Sequence, residues 1–266
     1  SAKLKFNELF TNSIKRRLSG AQPVAGLLSG GLDSSIISLY ASQYQENFEV
    51  FYARNSEFAF DEIKNVKSTT EYLDLKLNIL KINENNFISG IFKTITDQEY
   101  PFANSSLVMQ NMILNQASKK GYKVVLDGQG SDELLLGYLK FAHFYICENK
   151  TFSFQNFISY KEKNSISFIH LLMSSLFFRS TTLYQARNKI NRRVLTDQSG
   201  DLKLSSTYLQ KQYRCYRNDL LQSQKMELES LYLPSLLRYG DKNAMAYGIE
   251  NRSIFLDHEL VEFCLS

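Results

Sequence analysis

Ser29-Gly30-Gly31-Leu32-Asp33-Ser34-Ser35 sets two glycines, three hydroxyls and a carboxylate directly after the apolar run Pro23-Val24-Ala25-Gly26-Leu27-Leu28. A glycine turn between a buried strand and a helix exposes backbone N–H groups at the positive end of the helix dipole, which suits a phosphate. The loop has no Lys. It is therefore not the Gly-Lys-Ser/Thr kind of phosphate loop that reaches the β- and γ-phosphates. A second glycine turn, Asp127-Gly128-Gln129-Gly130-Ser131-Asp132-Glu133, follows another apolar run. Alone, it is equally a glycine turn with an acidic N-cap. Together the two turns place Asp33 in the first turn of one helix and Asp132 near the start of another. Two carboxylates beside a polyphosphate repel it, and Mg²⁺ removes that conflict by bridging carboxylate and phosphate oxygens. Asp33 and Asp132 are thus expected to hold Mg²⁺, directly or through water.

A third segment, residues 233–263, carries Arg238, Asp241, Lys242, Glu250, Arg252, Asp257 and His258. From residue types alone it reads as a polar loop between helices, with Glu250 and Arg252 in an ordinary surface pairing network. Asp257 is placed to start the last helix, which makes His258 a capping or packing residue.

These loops need elements to position them. Phe6, Leu9, Phe10, Ile14 and Leu18 recur at helical spacing, predicting an amphipathic helix over 3–19. Strands are predicted at 23–28, 48–53, 75–80 and 122–127. Helices follow Ser34, open at Asp61-Glu62, and run from Leu107 to a stop at Gly121. Strands alternating with helices up to about residue 140 argue a doubly wound parallel α/β sheet. In such sheets ligands sit outside the carboxyl ends of the strands, where both glycine loops fall. Beyond residue 140 strand signals fade. Residues 151–239 read as mostly helical, with a loop near Asp197-Gln198-Ser199-Gly200.

The chain's 266 residues allow one large domain, and 44% hydrophobic residues suffice for a packed core. A net charge of +4, scattered along the chain, argues against a nucleic-acid partner. Cys147, Cys215 and Cys264 lack metal-ligand spacing and read as thiols of a reducing, cytoplasmic setting. No signal peptide is expected. The greasiest segment, Leu171 to Phe178, is far short of the roughly 20 residues that span a bilayer, so no membrane partner is expected.

The first loop resembles the pyrophosphate loop of the N-type ATP pyrophosphatases. The three motifs, in this order and over nearly the whole chain, resemble the synthetase domain of the glutamine-dependent asparagine synthetases, a group that also includes β-lactam synthetases and lasso-peptide cyclases. The resemblance implies an adenine-nucleotide α-hydrolase type of fold over 1–266, with 1–140 as its α/β core and 141–266 as an added, mostly helical region. It implies ATP and Mg²⁺, a small-molecule carboxylate substrate, and an amine or ammonia donor. The carboxylate attacks the α-phosphate to give an acyl-adenylate, and the amine then displaces AMP. It also implies site residues. Ser29, Gly30, Gly31, Asp33, Ser34 and Ser35 match the pyrophosphate loop. Leu28 matches a residue whose backbone meets adenine, and Ala53 falls at a second adenine contact. Asp127 and Gly128 stand where the family usually has Ser-Gly at the nucleotide. Asp132 matches the second Mg²⁺-linked aspartate. Glu250 and Arg252 match a Glu-x-Arg expected on the substrate side.

The chain departs from that pattern in four places. Gln129 stands where asparagine synthetases usually have Glu and β-lactam synthetases can have Tyr. A carboxylate there could take a proton from ammonia, whereas Gln can only orient a nucleophile. Lys242 replaces a common Arg, keeping charge without the bidentate fork. A glutaminase domain with an N-terminal Cys is not in the sequence. Nor is a C-terminal segment with a Lys for the charge on the α-phosphate, and a truncated chain is the expectation. Arg238 and Lys242 are the nearest cations in sequence. The leading expectation is asparagine synthesis from aspartate and ammonia. Its alternatives are the same adenylation on another substrate, of the cyclase or β-lactam synthetase kind, and a non-catalytic nucleotide-binding module.

Overall fold

The computed structural model describes residues 1–20, 23–55, 61–100, 102, 104–148, 151–152, 155, 158 and 220–266. The loop expected near 197–200, the apolar segment 171–178 and Cys215 lie outside them. The chain divides into two compact units, Ser1–Ser131 with Tyr232–Ser266, and Asp132–Leu231.

The first unit is built on a five-stranded parallel sheet. Its strands are β1 (Val24–Leu27), β2 (Glu49–Asn55), β3 (Lys76–Ile82), β4 (Val124–Asp127) and β7 (Glu250–Ser253), in the order β3-β2-β1-β4-β7. Register runs Ala25 to Glu49, Glu49 to Lys76, Val24 to Val124 and Val124 to Glu250. β1 and residues Val124–Leu126 of β4 are apolar on both sides because both faces of a parallel sheet are covered. Its helices are α1 (Ala2–Leu18), α2 (Leu32–Tyr44), α3 (Ile63–Tyr72), α4 (Glu84–Gln98), α5 (Ser106–Lys119), α9 (Leu233–Met245) and α10 (His258–Leu265).

The chain moves outward from β1 to β2 to β3, then returns to the other side of β1 to form β4. Right-handed crossovers therefore put α2 and α3 on one face and α5 on the other. This is the doubly wound α/β arrangement the alternation predicts, and its direction reverses between β1 and β4. One core joins the sheet to α5 and α9 through Phe51, Ile113, Leu114, Tyr122, Ala244 and Ile249, with Tyr122 edge-on to Phe51. On the opposite face α1 packs on α2 and α10, and Phe10 meets Tyr40 and Phe255.

Three elements correct the sequence reading. Residues 233–245 form helix α9, so the helix expected up to 239 continues through 245 into the segment expected as a loop. Asn243 is fully buried within it, donating to Leu107 O and Gln110 Oε1 and accepting from Gln98 and Asn111. Residues 250–253 form β7, an edge strand of the main sheet. α4 is an unforeseen helix whose buried face is Gly90, Thr94 and Gln98, while Ile88, Phe92 and Ile95 are exposed. Asp257 does cap α10, accepting from Glu259 N, and His258 is exposed. Burial alone would raise the Asp257 carboxyl, but the Arg17 hydrogen bond and the charges of Arg17 and Arg16 hold it below its ordinary value.

In the second unit, the described elements are α6 (Ser131–Leu135, shared with the end of the first), α7 (Ala142–Ile146), a small antiparallel pair, β5 (Cys147–Glu148) with β6 (Thr151–Phe152), and α8 (Leu220–Glu229). Among the described residues, no helix is long and apolar enough to cross a membrane.

Candidate active site

The first loop leaves the carboxyl end of β1, with Leu28 buried and its N–H donating to Phe51 O on β2 at 3.0 Å. Gly30 turns the chain at φ 91°, a left-handed conformation that an L side chain resists. A Cβ there would also stand 2.9 Å from Glu62 Cβ and 3.2 Å from Glu62 O. The hydroxyls brace the turn. Ser34 Oγ receives Ser29 N–H at 3.1 Å and lies 3.0 Å from Ser29 Oγ, while Ser35 Oγ donates to Gly31 O at 2.8 Å. No side chain caps α2, whose N-cap is Gly31. The first N–H groups of that helix therefore face outward with the positive dipole end behind them.

The second loop leaves the carboxyl end of β4, the strand beside β1. The two loops thus flank the reversal point of the sheet, the crevice where open α/β sheets take ligands. They also touch. Ser131 Oγ donates to Asp33 Oδ2 at 2.7 Å, and a Cβ on Gly128 would lie 3.3 Å from Asp33 Cβ. This contact sets the Asp33 carboxylate at the mouth of both loops. Ser131 lies inside the second motif but carries no separate signal in the sequence.

Asp127 sits beneath that loop, 5% exposed. Its carboxylate accepts from Ser253 Oγ at 2.7 Å, Asn251 Nδ2 at 2.5 Å and the Gln129 N–H at 3.3 Å. All three donors are neutral. Burial pushes the Asp127 carboxyl above its ordinary value, and the three hydrogen bonds oppose that shift without cancelling it. A raised native value means that the folded state holds the proton more tightly than the unfolded chain. Stability from this group is therefore lost as pH rises above the unfolded value of 3.8. Compared with Asp127→Asn, the wild-type chain should lose stability as pH rises above the unfolded value of 3.8. Urea midpoints measured in parallel test this, and parallel pH curves for the two proteins would contradict it. Asn251 and Ser253 had no signal in the sequence, because β7 is wholly polar.

Asp132 opens the second unit, directly after Ser131 in the chain, and is half-buried. The adjacent Glu133 is buried and accepts from Tyr138 Oη at 2.7 Å. Burial, reinforced by the Glu133 hydrogen bond and charge, drives the Tyr138 phenol upward, so it stays a donor. Lys140 and Glu227 form a buried ion pair at 2.5 Å.

Other expected site residues lie elsewhere. Glu250 pairs with Val124, at the amino end of β4, so it sits at the opposite edge of the sheet from both glycine loops. Arg252 Nε and Nη2 each donate to the Glu250 carboxylate at 2.9 Å, and Nη1 reaches Arg17 O at the end of α1. This pairing ties β7 to the C-terminus of α1, where a cation meets the negative end of the helix dipole. The structure does not bring Glu250 to the loops, which corrects its expected catalytic placement. Arg238 lies over the rings of Tyr100 and Tyr239, and Lys242 pairs with Glu99 at 2.6 Å. Ala53 lies near the carboxyl end of β2, and Gln129 is half-buried in the second loop.

Among the described residues, no group of three or more His, Cys, Asp or Glu could cage a metal ion. Mg²⁺ is usually held by one or two carboxylates plus substrate phosphates rather than by an all-protein cage. The donors present are hard oxygens, Asp33 foremost, beside an uncapped helix N-terminus that suits the phosphates.

The family model described as asparagine synthase matches residues 5–266. The chain belongs to the asparagine synthase family. It is similar to a putative asparagine synthetase [glutamine-hydrolyzing] 1 of Methanocaldococcus jannaschii, at 32% identity over 54% of this chain and 26% of that protein. It is also similar to asparagine synthetase [glutamine-hydrolyzing] 1 of Bacillus subtilis, at 29% identity over 48% of this chain and 20% of that one. The match spans about a quarter or less of each of these relatives. Among solved structures, an NH3-dependent NAD synthetase from Campylobacter jejuni aligns with 86% of this chain and 96% of its own, at 14% identity and a TM-score of 0.40.

Proposed function

We propose that this member of the family makes amides at the expense of ATP, with AMP and pyrophosphate as products. A carboxylate oxygen attacks the α-phosphorus, the bond to the bridging oxygen breaks, and pyrophosphate leaves. An amine then attacks the acyl carbon of the adenylate, loses a proton, and expels AMP. The observation that carries this reading is the meeting of two glycine loops at adjacent strand ends, with the Asp33 carboxylate hydrogen-bonded from Ser131 between them. In this assignment Ser29, Gly30, Gly31, Ser34 and Ser35 surround the pyrophosphate. Leu28 and Ala53 meet adenine through their backbones, and Asp127 and Gly128 shape the nucleotide side. Asp33 and Asp132 hold Mg²⁺, which offsets charge on the phosphates.

Aspartate and ammonia are the first substrates to test, with ammonia from glutamine through a glutaminase partner as the source. Gln129 favours a second reading for the amine half. A side chain that cannot ionise suits an amine that arrives already nucleophilic, or that loses its proton to another group. Exchange of labelled pyrophosphate into ATP, across a panel of carboxylic acids, tests the first half-reaction. Aspartate-dependent exchange followed by asparagine on adding ammonia supports the leading assignment. Exchange with a different acid supports the second reading. No exchange with any acid, beside tight ATP binding, would leave a non-catalytic nucleotide module.

A further inference from the structure

Helix α6 is only five residues long, and it ends because Leu136 adopts a left-handed conformation, φ 61°. For an L side chain that conformation costs about 1–2 kcal/mol. The turn folds the following residues back on the first turn of α6. Gly137 N donates to Asp132 O at 2.9 Å, and Tyr138 Oη donates to the buried Glu133. Gly137 is not itself left-handed, so backbone freedom does not explain it. Space does. A Cβ at Gly137 would stand 1.9 Å from Asp132 Oδ1, 2.9 Å from its Cγ and 3.2 Å from its Cα. The Asp132 carboxylate occupies the volume that any side chain at 137 would fill.

We propose that Gly137 is a positioning residue, its bare Cα forming the seat that sets the Asp132 carboxylate for a divalent cation. The Leu136 turn and the Tyr138–Glu133 hydrogen bond are the frame of that seat. The proposal rests on the assignment of Asp132 to Mg²⁺. The nearest atom in the way of an alanine is the end of a short side chain, whereas the backbone is more than 3 Å away. Displacement of the Asp132 carboxylate is what relieves the shortest of these contacts. The substitution therefore acts on the placement of the carboxylate before it acts on the fold.

Titration of the full chain with Mn²⁺ in the presence of pyrophosphate, read by the free-ion EPR signal, tests this. Gly137→Ala should weaken Mn²⁺ binding by about tenfold or more, the usual cost of disturbing a group that orients a ligand. Asp132→Ala should weaken it as well, and the double variant should bind no worse than Asp132→Ala alone. Thermal unfolding supplies a readout without metal. Gly137→Ala should lower the melting temperature in the wild-type background and leave it unchanged in Asp132→Ala, where the clashing carboxylate is gone. If Gly137→Ala alone does not fold, folding of the double variant supports the seat, and failure of both overturns it. Unchanged Mn²⁺ binding in Gly137→Ala beside weakened binding in Asp132→Ala overturns the proposal alone. Unchanged binding in Asp132→Ala overturns the metal assignment and the proposal with it.

Discussion

Asp33→Asn is expected to lower pyrophosphate exchange by about 10²–10³-fold, the scale on which loss of one charge-stabilising group acts in a water-poor site. The substitution is nearly isosteric. Its amide oxygen can still accept from Ser131, so the hydrogen bond that links the two loops survives. What disappears is the negative charge that, in the proposed assignment, draws Mg²⁺ to the phosphates. The cost to folding should be small. Asp33 is half-buried in the first turn of α2, where an acid contributes about 0.3–1 kcal/mol through the helix dipole. Exchange rates and urea midpoints on the same preparations separate the two effects. Equal rates for wild type and Asp33→Asn would remove the carboxylate from the mechanism.

Gly30→Ala should act in the opposite proportion, on folding first. The residue sits at φ 91°, and a left-handed or related backbone costs a side-chain-bearing residue about 1–3 kcal/mol. The added methyl would meet Glu62 Cβ at 2.9 Å and Val66 Cγ2 at 3.3 Å, in the helix-opening segment that packs on the loop. Overpacking of this kind adds about 1–3 kcal/mol. Neither neighbour can swing aside at little cost, because Glu62 Cβ belongs to the root of its side chain and Val66 is fully buried. The sum, about 2–6 kcal/mol, is a large part of a domain's usual stability. A lowered urea midpoint, with loss of ATP binding in the fraction that folds, is the expected result. Wild-type stability would show that the loop does not require its observed turn.

Strands β1, β2 and β4 were legible because Val24, Ala25, Val50, Phe51, Val124, Val125 and Leu126 make apolar runs bounded by Gly or polar turns, and β3 because Leu75, Leu77, Ile79 and Leu80 cluster. Both glycine loops were legible for the same reason, since each begins where an apolar run stops. β7 was not, because Glu250-Asn251-Arg252-Ser253 contains no apolar residue. It is held instead by pairing with β4, by the hydrogen bonds of Asn251 and Ser253 to Asp127, and by the reach of Arg252 to α1. α4 shows no clear apolar face in the sequence because its buried positions are Gly90, Thr94 and Gln98, while Ile88, Phe92 and Ile95 are exposed. Its one local signal was the reciprocal capping of Asn83 and Asn86. α9 was obscured by the polar residues Arg238, Asp241, Lys242 and Asn243. Asn243 is buried only because four neighbouring groups satisfy its amide.

The same contrast explains the site. Residue type and spacing pointed to Asp33 and the serines, and the sheet places them at a reversal point. Motif matching also pointed to Glu250, yet strand register puts it about three residues, roughly 10 Å, toward the far edge. A motif gives proximity in sequence, and only register says which end of a strand a residue occupies. Asp127 adds a further point. Its carboxyl is tied to β7 by Ser253 and Asn251, so the third motif supports the second loop from below through Asp127.

The central claim is cleavage of ATP between the α and β phosphates by a carboxylate. The direct measurement uses the acid that supports pyrophosphate exchange, labelled with ¹⁸O in its carboxyl group, and follows the label by ³¹P NMR during turnover with the amine. The account predicts one ¹⁸O in AMP and none in pyrophosphate. Label in inorganic phosphate, with ADP as the other product, would contradict it.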